Sequence, residues 1–300
     1  MSSNELSRGL AVFLLAIVIV AWGINWTVGK SILHHLPPIW ATAMRTVPAC
    51  IVLWLVSLSC GRLTRPTTAD VPVILSVGIL HMVAFSVLAS IGLQYLPAGR
   101  SVVLAYTTPL WVLPAAWYFL GEPLSRRRLI GLVVGMGGLA LLIRPGAFDW
   151  RDGNVLMGHG LILLAALCWA ACIVYGRAHK WVTSPFQLLP WQTLLAAVLQ
   201  VTLALVVEGV PEVQWSAELV MLLGFSSMIG TVLAYWAMNT VNRGLPASVT
   251  SLALLGVPVF GLLFSNIVLG ERWEPGVVMA TGLIVFGIAI GTSPPRRVRA

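Results

Sequence analysis

The charged residues of this chain are gathered into short clusters, and between them lie eight long runs without Asp, Glu, Lys or Arg. Each run can cross a hydrocarbon layer about 30 Å thick, which takes about 20 helical residues. Only 9% of the residues are charged and 58% are hydrophobic, whereas roughly 25% of a soluble domain is charged. The pattern excludes a soluble globule and predicts an all-α integral membrane protein. The uncharged runs are residues 9–29, 71–99, 101–121, 153–176, 181–207, 219–242, 244–270 and 275–295.

Turn residues such as Pro37-Pro38 and Gly244-Leu245-Pro246 divide these runs into ten predicted transmembrane helices. If the N-terminus is cytoplasmic, twelve Lys and Arg residues lie on the cytoplasmic side and five on the opposite side. We therefore expect residues 1–8 and the basic residues 293–300 to form cytoplasmic tails. The predicted helices are 9–29, 37–60, 71–95, 98–120, 127–143, 155–177, 184–207, 217–240, 246–269 and 274–292.

The two halves of the chain resemble each other in the order and spacing of their distinctive residues. Each half holds five predicted helices, an odd number, so the second copy must enter the membrane from the opposite side. The sequence therefore predicts two inverted-topology repeats, residues 9–146 and 147–292, an architecture common among transporters. The corresponding residues are Trp22 and Trp169, Gly29 and Gly176, Lys30 and Arg177, Pro109 and Pro258, and Leu120-Gly121-Glu122 and Leu269-Gly270-Glu271.

Polar and aromatic side chains inside the predicted spans are candidates for a substrate cavity, because lipid offers polar groups no hydrogen-bond partner. Trp22, Asn25 and Trp26 share one face of the first helix, for which cavity lining and helix packing are the two interpretations. His81, in the middle of the third helix, is predicted to contact substrate, with a hydrogen bond to a neighbouring helix as the alternative. The predicted cavity-lining residues are Trp22, Asn25, Trp26, His81, Tyr106, Trp111, Trp169, Tyr235 and Trp236.

Arg45, Pro109 and Pro258 also lie inside predicted spans. Arg45 is predicted to be a structural anchor, with contact to a substrate carboxylate as the alternative. Gln192 occupies the equivalent position of the second half, so the function of Arg45 need not be duplicated. Pro109 and Pro258 occupy equivalent positions in the fourth and ninth helices, and both are predicted hinges or kinks, since proline frees a backbone carbonyl.

No Asp or Glu lies within any predicted span. Proton-driven pumps and exporters of organic cations usually place a carboxylate at mid-membrane, as proton carrier or counter-ion. Its absence favours facilitated export, or weak coupling, over strict proton antiport. The four cysteines lack zinc-binding spacing and no motif of a catalytic nucleophile is present, so we expect no metal, cofactor, nucleic acid or enzymatic activity.

Short motifs mark the helix ends and close-packed positions of the first half: Ala21-Trp22-Gly23, Gly29-Lys30, Arg45, Thr108-Pro109 and Leu120-Gly121-Glu122-Pro123. Together they resemble the drug/metabolite transporter superfamily, specifically its ten-helix members with two EamA-type domains. The tryptophan-rich chain is most similar to the bacterial aromatic amino-acid exporters. The resemblance implies a multi-pass protein of the bacterial inner membrane that exports small hydrophobic metabolites, aromatic or neutral amino acids first, by alternating access through a central cavity.

Two alternatives to amino-acid export remain. First, an aromatic cavity would also accept planar organic cations or drugs. The second and more remote alternative is an integral membrane enzyme that acts on lipid. The expected partners are a small-molecule substrate and membrane lipid, and the expected state is a monomer or a weak homodimer. Gly131-x-x-x-Gly135 in the fifth helix predicts close helix packing, with a dimer face as the alternative.

Overall fold

The computed structural model of the protein describes residues 8–96, 98–142, 152–269 and 275–292. These ranges contain helices and no strand, and a helix occupies each of the ten predicted segments. The second Leu-Gly-Glu corner, at Gly270 and Glu271, lies outside them, as does the basic tail. The helices are α1 (Arg8–Ile32), α2 (Pro38–Ser59), α3 (Val71–Tyr95), α4a (Ala98–Ala105), α4b (Thr108–Leu120), α5 (Arg126–Leu142), α6 (Gly153–Ala178), α7 (Pro185–Val207), α8 (Ala217–Gly244), α9a (Ala247–Ala253), α9b (Gly256–Leu269) and α10 (Pro275–Thr292).

Eight helical segments of the described chain are long and apolar enough to cross a membrane. Six of them are α1, α2, α3, α6, α7 and α8, and the other two are Ser101–Leu120 in α4 and Ala247–Phe264 in α9. The two remaining helices, α5 and α10, pack against each other at one side of the bundle. The predicted all-α membrane fold is confirmed.

Two helices at equivalent positions of the halves contain π-helical stretches, which the sequence analysis did not anticipate. They are Ser76–Phe85 in the middle of α3 and Ser226–Leu233 in the middle of α8. π-Helical turns are rare and are found frequently at functional sites, because the wider turn changes the direction of side chains. Their matched placement agrees with the predicted inverted repeat.

The fourth and ninth helices are each interrupted, between α4a and α4b at Tyr106-Thr107 and between α9a and α9b at Leu254-Leu255. The predicted continuous helices are therefore wrong at their centres. Pro109 and Pro258 lie in the first turns of α4b and α9b, where the missing N–H of proline has no helical partner to lose. Both prolines mark helix starts rather than kinks within a helix, and a hinge function for them stays a prediction.

Glycines allow α5 and α10 to touch along their backbones. A Cβ on Gly131 would lie 2.6 Å from the carbonyl oxygen of Gly287 and 2.7 Å from the backbone of Gly291. On the other side of the contact, a Cβ on Gly287 would lie 2.6 Å from the backbone nitrogen of Gly135. The predicted close packing is confirmed. Its partner is α10 of the same chain, so this face is not free to form a dimer.

Candidate functional site

A cavity opens among α1, α2, α3, α6 and α8, with Tyr106 at the break of α4 also in its wall. It holds about 730 Å³ of space between atoms, the open solvent at its mouth included. Along α1 it extends from Trp22 to Ile32, or about 15 Å at a rise of about 1.5 Å per residue. That depth is about half of the hydrocarbon layer. We call the end of the bundle where α1 finishes the open end, and the end where α1 begins the closed end.

Four aromatic side chains from four helices meet at the inner limit of the cavity: Trp22, His81, Trp169 and Tyr235. The imidazole of His81 stacks on the indole of Trp169 with centroids 5.2 Å apart, and lies 4.6 Å from the ring of Tyr235. Trp22 meets the rings of His81 and Trp169 edge-on, at 5.5 Å in each case. None of the four is more than 7% exposed. This aromatic cluster separates the cavity from the closed end and is suited to contact a planar ring.

The π-helical stretch of α8 packs directly against α1 and contributes Ser226 and Gly230 to the cavity wall. The indole Nε1–H of Trp22 donates a hydrogen bond to the carbonyl oxygen of Gly230 over 3.0 Å, across the two halves. A side chain at Gly230 would not fit, because a Cβ there would lie 2.6 Å from the Oδ1 of Asn25. The Oδ1 of Asn25, the Nε1 of Trp169 and the hydroxyl of Ser226 are buried, with no hydrogen-bond partner in the described ranges.

Seven of the nine residues that the sequence predicts in the cavity wall line this cavity: Trp22, Asn25, Trp26, His81, Tyr106, Trp169 and Tyr235. Trp111 is a wrong prediction, since its side chain is 39% exposed. It lies on the outer face of α4b, because Val112, Leu113 and Ala116 form the buried face of that helix.

The ninth predicted residue, Trp236, is not among the residues that line the cavity. Its half-buried indole packs against the hydrophobic core, to which Tyr235 also belongs.

Arg45 on α2 lines the cavity and is partly buried. It makes no hydrogen bond or ion pair with any residue that the structure describes, so no anchoring partner of the predicted kind is present there. At the equivalent position of α7, Gln192 is fully buried, and its Oε1 accepts a hydrogen bond from Asn239 over 3.1 Å. The two equivalent residues therefore have different environments: Arg45 faces the cavity, whereas Gln192 is buried and hydrogen-bonded.

Most of the cavity wall that α3 supplies was not predicted from the sequence. Phe85, Ala89 and Leu93 line the cavity together with His81. These positions are four residues apart and so lie on one face of a helix. The spacing alone could have found them, once His81 had been assigned to the cavity.

The closed end is tied by acidic side chains that accept hydrogen bonds from the other half of the chain. Asp70, before α3, accepts from the backbone N–H of Thr183 over 3.3 Å and from its hydroxyl over 2.6 Å. Glu122, after α4b, accepts from the backbone N–H groups of Ala247 and Ser248 over 2.8 and 3.3 Å, at the start of α9a. These bonds join the halves where the cavity is shut.

Two opposing effects set the pKa of the Asp70 carboxyl. Burial would raise this pKa, but the hydrogen bonds from Thr183 and Thr67 outweigh burial and hold it below its ordinary value. The carboxylate form is therefore the one that the closed end stabilises.

The open end has a counterpart to these contacts. Glu208, after α7, accepts hydrogen bonds from the backbone N–H groups of Ile39 and Trp40, each over 2.9 Å, and so caps the first turn of α2. The ammonium of Lys30 donates to the carbonyl oxygen of Leu93 over 2.7 Å, at the end of α3. Hydrogen bonds therefore hold the start of α2 and the end of α3 at this mouth of the cavity.

In the ranges that the structure describes, no three His, Cys, Asp or Glu side chains are grouped so that they could hold a metal ion. A bundle of membrane-crossing helices with a half-depth cavity among five of them is the architecture of a membrane transporter. The EamA-like transporter family matches the chain twice, at residues 9–144 and 156–292. The protein belongs to this family.

The relatives are named as transporters or efflux pumps, and the substrates in their names differ where one is given. The chain is 25% identical to the uncharacterized transporter YoaV of Bacillus subtilis, covering 92% of this chain and 94% of that protein. It is 25% identical to an S-adenosylmethionine/S-adenosylhomocysteine transporter of Chlamydia trachomatis (93% and 88% covered). It is also 25% identical to a probable amino-acid metabolite efflux pump of Salmonella typhimurium (93% of each covered). The relatives agree on transport and not on substrate.

A solved crystal structure shares the fold, with a TM-score of 0.78 at 21% sequence identity. The match covers 98% of this chain and 100% of that chain. The whole bundle, rather than one repeat, is therefore the shared unit.

Proposed function

We propose that the protein exports aromatic and other neutral amino acids from the cytoplasm, by alternating access through the central cavity. The observation that carries the proposal is the aromatic cluster, in which buried rings from α1, α3, α6 and α8 converge at the inner limit of the cavity. A planar side chain can stack on or meet these rings edge-on at 4.5–7 Å, which contributes about 0.5–1.5 kcal/mol per ring pair beyond the burial of apolar area. Amide and hydroxyl groups in the same wall can orient the polar end of a substrate.

The distribution of basic residues supports an inner-membrane protein with both termini in the cytoplasm. In that orientation the closed end faces the cytoplasm and the cavity opens to the outside. Export then requires the Asp70 and Glu122 contacts to break while the open end closes. No acidic residue lines the cavity, which supports facilitated transport rather than strict proton antiport.

The test is counterflow in proteoliposomes that contain the purified protein and a panel of labelled amino acids and planar cations, with and without a pH gradient. We expect saturable uptake of aromatic amino acids, competition among them, and the same initial rate with and without the gradient. Replacing Trp169 with Ala should reduce this uptake at least tenfold, since it removes the ring against which His81 stacks.

The matched control is Trp111→Ala, which removes an exposed indole on the outside of the bundle and should leave uptake unchanged. Equal losses in both variants would contradict a cavity function for the aromatic cluster. Uptake of the planar cations without any amino acid would replace the proposed substrate class with the alternative one. Uptake that requires the pH gradient would contradict facilitated transport.

A further inference from the structure

The polar groups left without partners in the cavity are mostly hydrogen-bond donors. The guanidinium of Arg45 has donors only, and it stays protonated in proteins. The Nε1–H of Trp169 and the hydroxyl of Ser226, also buried in the cavity wall, have no partner in the described ranges. Unused donors in a site of low polarity favour a ligand group that accepts hydrogen bonds and carries negative charge.

Arg45 is the permanent charge among the cavity-lining residues of the described structure. It lines the same cavity as His81 and Tyr235 of the aromatic cluster. A cation that stacked on these rings would therefore be repelled by Arg45, whereas an anion would be attracted. Even a partly buried charge without a counter-ion is costly, and a substrate that supplies the counter-ion recovers that cost on binding.

The repeat argues against a purely structural function for this arginine. Gln192, its equivalent in the second half, is fully buried and is hydrogen-bonded by Asn239. If these two equivalent positions served only to join helices, the same kind of hydrogen-bonded residue would suit both halves. Instead Arg45 faces the cavity and makes no bond with the described residues.

We propose that Arg45 is the carboxylate-binding residue of the cavity, and that it selects aromatic substrates with a carboxylate over aromatic amines without one. This inference rests on the proposed function and narrows its substrate class. The carboxylate pairs with the guanidinium, the aromatic ring lies against the aromatic cluster, and the Oδ1 of Asn25 accepts from the substrate ammonium.

The test compares tryptophan with tryptamine, which has the same ring and amine but no carboxylate, in the proteoliposome counterflow assay. Hydrogen bonds to charged groups contribute about 1.5–3 kcal/mol, so the half-saturating concentration of tryptamine should be about 10- to 150-fold higher than that of tryptophan. In Arg45→Gln this ratio should fall to about 1, and Arg45→Lys should recover part of it. Arg65→Gln, which removes an exposed charge from the loop before α3, should keep the wild-type ratio.

The ratio distinguishes binding from folding, because a merely structural arginine would change both compounds equally. A wild-type protein that transports the two compounds equally well, or prefers tryptamine, overturns the inference and leaves the transporter proposal intact. The same holds if Arg45→Gln transports and keeps the full ratio. If Arg45→Gln does not fold, indole-3-propionate decides: it should compete with tryptophan in the wild type, and no competition overturns the inference. If no aromatic compound is exchanged by the wild type, the proposed function fails and this inference fails with it.

Discussion

Asp70→Asn should loosen the closed end of the bundle by a calculable amount. Asp70 is fully buried, and it accepts two hydrogen bonds from Thr183 of the other half. Asn keeps one acceptor oxygen, so it can keep one of these bonds, but it lacks the charge and turns a donor toward the second. Since a hydrogen bond to a charged group contributes about 1.5–3 kcal/mol, the closed state should become about 10- to 150-fold less favoured.

Native Cys172 can report this change. It lies on α6 one turn beyond Trp169 toward the closed end, and it is only 5% exposed. In a chain in which Cys172 is the one remaining cysteine, a membrane-permeant maleimide should label it at a rate proportional to the opening of the closed end. We expect Asp70→Asn to raise this rate by at least tenfold. Thr183→Val, which removes the hydroxyl half of the same contact, should raise it less.

The control is Asp152→Asn, which makes the same chemical change at the exposed N-cap of α6. Among the described residues it joins no second helix, so labelling of Cys172 should match the parent protein. If Asp70→Asn leaves the labelling rate within about twofold of the parent, the contact between Asp70 and Thr183 does not hold the closed end shut.

The remaining predictions concern packing and the hydrogen bond of the cavity wall. Gly131→Ala should lower the unfolding temperature in detergent, because overpacking against the backbone of Gly287 costs about 1–3 kcal/mol; Gly137→Ala on the same helix meets no atom within 4 Å and should not lower it. Trp22→Phe keeps the ring but loses the hydrogen bond to Gly230, so it should destabilise the protein by about 1 kcal/mol in denaturant titration while retaining more transport than Trp22→Ala.

The pH dependence of the Asp70 contact has a definite sign. Because the pKa of this carboxyl is lower in the folded protein than its ordinary value of 3.8, its stabilisation is fully present above that value. It is lost as the pH falls through the folded pKa. The difference in unfolding temperature between the parent and Asp70→Asn should therefore stay constant from about pH 8 to about pH 5. A difference that shrinks steadily over this range would show that the carboxyl takes up its proton there, contrary to the contacts seen.

The sequence was sufficient to place the helices and insufficient to place the features inside them. Charge-free runs predict membrane helices because lipid penalises every charge in the span. The π-helical stretches and the breaks at Tyr106-Thr107 and Leu254-Leu255 depend on contacts between helices, which no single run of residues records. The prediction for Trp111 failed for the same reason. A tryptophan in a span can face the cavity or the lipid, and its hydrophobicity is the same in both cases. The direction of Trp111 depends on the rotation of α4b after the break in the fourth helix.

The acidic residues lie outside the predicted spans or at their ends, and three of them join the two halves of the chain. Asp70 and Glu122 of the first half bind the backbone or hydroxyl groups of the second half at the closed end, and Glu208 of the second half binds α2 at the open end. Each contact joins the halves at one face of the membrane, so rocking one half against the other would have to break them. The Asp70 and Glu122 contacts both stabilise the closed end. The protein with an empty cavity therefore favours the conformation seen here, in which that end is closed. A substrate whose carboxylate pairs with Arg45 in both states would not change that preference. Transport therefore requires a substrate that binds more tightly in the occluded state, and the aromatic cluster, through which the substrate must pass, is where such a difference can arise.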